Sequence, residues 1–137
     1  MIIVLSLLVS LILITTMSML LHPYRRSVEM VRNYILRITP MGMNIEDVIK
    51  VVESRDDWGD ARVSFTSGFY IPAVPIGGWP SLNGQPDIPV IGEKHIRTHM
   101  GSYRNWRLLL ITDVEVFLGF DENGELMDVH IWKVSGG

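Results

Sequence analysis

The sequence predicts an α+β protein: an N-terminal transmembrane helix, then one or two helices packed on an antiparallel sheet of about four strands. Three observations carry this. The first 21 residues hold no charged side chain, residues 28–52 repeat apolar side chains at helical spacing, and from Val63 onward apolar and polar side chains alternate. The 137 residues are of single-domain size. Beyond the N-terminal segment about 115 remain, enough for one modest hydrophobic core.

The segment MIIVLSLLVSLILITTMSMLL has the length of a helix that crosses a hydrocarbon core roughly 30 Å thick. Its hydroxyls (Ser6, Ser10, Thr15, Thr16, Ser18) can bond back to the helix backbone. A cleaved signal peptide usually starts with basic residues, has a shorter apolar run and ends in a small-x-small site. None of these is present, so residues 1–21 read as a retained single-pass membrane anchor. Arginines follow the segment and none precedes it, which places the C-terminal side in the cytoplasm by the positive-inside rule.

Residues 22–40 carry Arg25, Arg26, Arg32 and Arg37 against Glu29 alone. Val28, Val31, Ile35 and Ile38 recur at helical spacing, and Pro40 and Gly42 end the run. This reads as a juxtamembrane amphipathic helix, lying either on anionic headgroups or against the domain with its arginines snorkelling. Residues 41–137 form the α+β domain. Asn44 is a good N-cap, and Glu46 and Asp47 favour the helix N-terminus behind it. Ile45, Val48, Ile49 and Val52 give that helix one apolar stripe, and it should stop within Ser54–Asp57.

Strands follow. Val63, Phe65, Phe69 and Ile71 alternate with polar neighbours, and His95–Met100 alternates with Ile96, Thr98 and Met100 on one face. Leu108, Leu110, Val114, Val116, Leu118 and Phe120 share a face of one long strand, and Met127, Val129 and Ile131 a face of the last. Asp121-Glu122-Asn123-Gly124 between them suits an antiparallel hairpin. The Pro/Gly-rich loop 72–92 is longer than compact domains ordinarily hold. Its Trp79 either anchors a partner or covers the core, and Trp132 is a second partner-binding candidate.

Chemistry is sparsely encoded. The 137 residues hold no cysteine, which removes disulfides, thiolate metal sites and a lipobox anchor. Acids outnumber bases from Met41 onward, which disfavours a nucleic-acid partner. No phosphate-cradling, zinc-protease, nucleophile-elbow or dinucleotide motif occurs, so no catalytic or cofactor-binding residue is assigned and an enzyme is disfavoured. His95, His99, His130, Glu115 and Asp128 are the residues from which a metal site would be built. However, histidines four apart on a strand stand about 13 Å apart, too far for one ion. A metal-dependent enzyme or small-ligand sensor on that polar face is the alternative to a binding module. Arg97, Arg104 and Arg107 read as an anion site or as edge charges that discourage aggregation. Asp121–Glu125 resembles part of a calcium loop, and a hairpin turn explains it.

Two stretches, Ile38-Thr39-Pro40-Met41-Gly42-Met43-Asn44-Ile45-Glu46-Asp47-Val48 and Val116-Phe117-Leu118-Gly119-Phe120-Asp121-Glu122-Asn123-Gly124-Glu125-Leu126-Met127-Asp128-Val129, resemble the helix start and last hairpin of SmpA/OmlA-like envelope proteins, which share a fold with the β-lactamase inhibitor proteins. The hairpin and a Trp-Lys strand are also similar to those of small membrane-anchored bacterial proteins. The resemblance spans about residues 38–134 and matches at its two ends. It implies a two-helix element packed on an antiparallel sheet and a protein-binding or assembly-accessory role outside the cytoplasm. That location opposes the one implied by the arginine flank. The lipobox cysteine of that family has no counterpart here, and loop 72–92 lies outside the matching motifs.

Overall fold

Two helices and four strands share one core in the computed structural model, which describes residues 2–20, 23–71, 89–105 and 110–136. Side chains are described for all of these except 2–5, 18–20, 23 and 105. The chain runs through α1 (Ile2–Leu20), a 3-10 turn (Pro23–Arg25), α2 (Val28–Ile38), α3 (Ile45–Glu53), β1 (Arg62–Ser64), β2 (Phe69–Tyr70), β3 (Val90–Ile91), β4 (Lys94–Asn105), β5 (Leu110–Phe120) and β6 (Leu126–Gly136). The main sheet is antiparallel with strand order β1-β4-β5-β6, and β2 and β3 form a separate two-stranded ladder. The α+β architecture with its four-stranded antiparallel sheet is therefore observed.

The N-terminal transmembrane helix is not. A helix forms in that segment, but among the described residues no helix is long and apolar enough to cross a membrane. α1 spans 19 residues, Ile2–Leu20. Ser6, Ser10, Thr15 and Thr16 interrupt its apolar surface. Both threonine hydroxyls bond back to the helix, Thr15 Oγ1 to Leu11 O at 2.9 Å and Thr16 Oγ1 to Ile12 O at 2.7 Å.

Local signals explain α2 and α3. Ser27 caps α2 by accepting from the Met30 N–H, and Asn44 caps α3 by accepting from the Glu46 N–H at 3.0 Å. Val31 and Ile35 from α2, with Ile45, Val48 and Val52 from α3, enter one core with Ile96, Met100, Val114, Val116, Leu118, Phe120, Val129 and Ile131 from the sheet. Burying each such side chain contributes roughly 1.5–3 kcal/mol. Through Val31 and Ile35, α2 shares the core of α3 and the sheet.

The two stretches that carry the family resemblance meet in space. Gly42 N–H donates to Leu126 O, Leu126 N–H to Met43 O and Ile45 N–H to Gly124 O, all at 2.8–2.9 Å. The α2–α3 connection is stitched onto the β5–β6 hairpin. Gly124 sits at φ +83°, the left-handed turn position anticipated for it.

Two strand expectations shift. The single strand over 63–71 divides, because β1 ends at Ser64, Phe65 is exposed and the chain then crosses the backbone of residues 91–92. Only glycine permits that crossing, since a Cβ at Gly68 would collide with Gly92 O. On β6, Met127 is exposed and Leu126 is buried, because the register slips between Gly119 and Phe120 and pairs Phe120 with Leu126.

Candidate functional site

α2 and α3 cover one face of the main sheet. The other, outer face is where the sequence places its ionisable and aromatic candidates. Outward positions alternate with core positions along each strand, so β4 presents His95, Arg97 and His99, β5 presents Glu115 and Phe117, and β6 presents Asp128, His130 and Trp132. The register places Arg97 beside Phe117 beside His130, and His99 beside Glu115 beside Trp132.

One end of this face is closed by the β2–β3 ladder. Phe69, 2% exposed, packs with its ring 5.5 Å from Phe117, stacks over His130 at 6.3 Å and meets His95 at 6.5 Å. The approach depends on Gly119, where a Cβ would lie 2.8 Å from Phe69 Cε1. His95 secures the same segment through Nδ1, which lies 2.7 Å from Ser67 O and so carries the proton of that hydrogen bond.

The middle of the face is an aromatic strip under one ion pair. Arg97 donates from Nε and Nη2 to the two carboxylate oxygens of Glu115, at 2.9 and 2.8 Å. Its guanidinium also stands 5.4 Å from the Phe117 ring centre. Phe117 in turn lies 6.2 Å from the half-exposed Trp132. The bidentate fork and the ring fix Arg97 from two sides.

The metal-site candidates are dispersed. Glu115 is held by Arg97, and Asp128 is held by Arg32 of α2 at 3.1 Å. His130 lies under Phe69, and His95 is committed to Ser67. A bulge does occur in β4, but it falls between His99 and Gly101, beyond both histidines, and leaves their spacing unchanged. Among the described residues no three His, Asp or Glu side chains come together in a way that could hold a metal ion. Burial pushes His130 below its ordinary pKa of 6.5; nearby Arg32 adds to this and Asp128 opposes it.

Trp132 is on the outer face as described. Trp79 lies outside the described residues, as do Arg107 and Leu108. Sequence reasoning missed Phe117 and its partner Phe69. Phe117 is a large apolar residue at an outward position of a strand whose core positions are the even-numbered ones, and such a residue signals that something covers it. It also missed the contact made by the β4 bulge, where Ser102 Oγ donates to Asp113 Oδ1 at 2.5 Å and lies 3.3 Å from His99 Nε2. There the serine proton goes to the carboxylate and not to the histidine, which is not how a base activates a nucleophile.

Comparison with known proteins assigns the chain to no family: no family model, no curated protein and no solved structure matches it.

Proposed function

We propose that the chain is a non-enzymatic protein-binding module, an accessory to assemblies of the cell envelope, and that the outer sheet face meets its partner. The observation that supports this is the half-exposed Trp132 beside Phe117, with Arg97 fixed over the same ring. Tryptophan, a further aromatic and an arginine on a rigid sheet are the residue types that dominate binding energy at protein interfaces. Rigidity lowers the ordering cost of association, and here the strip is built on the two central strands and an edge strand. The envelope role rests on the resemblance to SmpA/OmlA-like proteins.

Affinity capture with the full chain tests the reading. Tagged wild type, Trp132→Ser and Met127→Ser would be expressed in the source cells. Met127 is a more exposed apolar residue on the same strand, at 49%. Loss of a co-purifying protein with Trp132→Ser but not with Met127→Ser is expected. Identical capture by all three variants would remove the outer face from the proposal.

A further inference from the structure

At the end of the sheet where α1 joins the domain, the fold gathers cations that are distant in sequence. Lys133 of β6 donates from Nζ to the backbone oxygens of Tyr24 and Arg26 and lies 5.3 Å from the Tyr103 ring centre. Arg25 donates to the backbone oxygen of Arg104 and lies 5.8 Å from the centre of the same ring. Two cations therefore share one ring, with the exposed Arg26 beside them. The ion pairs among the described residues are Arg32–Asp128, Lys50–Asp47 and Arg97–Glu115, none of which involves Arg25, Arg26 or Lys133. At this end the Tyr24 hydroxyl donates to Asp57 at 3.0 Å. Like charges held close repel one another, and an anion in front of them relieves that repulsion.

The same end of the molecule leads back into α1, whose Leu13, Ile14 and Met17 are 55–66% exposed. Local positive charge on a chain of net charge −3, a few residues along the chain from exposed apolar side chains, fits one kind of surface: anionic in front and apolar behind. A nucleic acid or an acidic protein would answer only the charge. We propose that Arg25, Arg26 and Lys133 form a docking surface for the headgroups of an anionic phospholipid membrane. The contact is with the headgroup plane and requires no helix that crosses the bilayer. The acidic remainder of the domain is repelled by the same surface, so the patch also sets the orientation in which the outer sheet face is presented.

The test is co-sedimentation of the full chain with vesicles of 70:30 phosphatidylcholine:phosphatidylglycerol and of phosphatidylcholine alone. Partitioning to the anionic vesicles should fall roughly tenfold or more in Arg25→Gln/Arg26→Gln/Lys133→Gln, since each cation near an anionic surface strengthens binding severalfold. Partitioning to neutral vesicles, which reports α1 alone, should stay the same. Arg25→Gln/Arg26→Gln keeps the Lys133 contacts and should show a smaller loss in the same direction, so misfolding of the triple variant does not decide the outcome. Equal partitioning of wild type to both vesicle types would overturn the proposal. So would its release from anionic vesicles by inorganic phosphate at matched ionic strength, which would mark a free-phosphate site instead.

Discussion

Tyr24 occupies the space that a side chain at Gly101 would need. A Cβ on Gly101 would lie 2.7 Å from Tyr24 Cε2, and the residue sits at φ +140°, a conformation that L side chains rarely adopt. The bulge of β4 between His99 and Gly101 thus makes a notch for the ring, and the notch fixes the turn that follows α1. Gly101→Ala should lower stability by about 1–3 kcal/mol through the clash and the backbone strain. A urea denaturation midpoint equal to wild type would contradict the packing described.

The Tyr24 hydroxyl should titrate late. Burial, followed by the hydrogen bond to Asp57 and its negative charge, pushes its pKa up to about 12 from 10. A raised folded-state pKa means that the contribution is intact below pH 10 and lost as pH rises toward 12. Absorbance titration near 295 nm should show one tyrosine ionising last, and Asp57→Asn should bring it back toward the others.

Much of this architecture could be read from the residues, and the failures have identifiable causes. Asn44 and the Ile45/Val48/Val52 stripe specified α3 to within a residue, because a cap and a helical period are local signals. The Asp121–Gly124 turn was legible for the same reason, and the positive φ of Gly124 is what its glycine is for. The split at Gly68 and the slip at Gly119–Phe120 were not legible, because each depends on a backbone contact made by residues far apart in sequence. The outer-face candidates Arg97, Glu115, His130 and Trp132 followed from strand alternation. Their pairing did not, since register across strands decides it. The N-terminal helix could be read as a helix, but apolar composition over 21 residues was mistaken for a span.

Phe69 seals the outer face. Its replacement by alanine should cost about 3–5 kcal/mol, the range for removing a fully buried phenylalanine. Phe65, 60% exposed in the same segment, should tolerate alanine with a change of about 0.5 kcal/mol or less. Thermal or urea unfolding of the two variants checks the contrast; equal losses would mean that β2–β3 does not pack as described.

Stability should decline on mild acidification. His130 has its folded-state pKa lowered by burial, so the unfolded chain binds the proton first. Its contribution is therefore present above pH 6.5 and lost as pH falls from 6.5 toward the lowered folded-state value. Urea midpoints measured between pH 7.5 and 5 should drop in wild type, and the drop should be shallower in His130→Gln. A parallel decline in both proteins would assign the effect to other groups.

The central claim, that the outer sheet face meets a protein partner, is tested most directly by photo-crosslinking in living cells. A benzophenone amino acid placed at Trp132, and separately at the exposed Glu53 on the helical side, should give different results. The account predicts a discrete crosslinked species from position 132 and none from position 53. The same species from both positions, or none from 132 while capture by wild type persists, would contradict it.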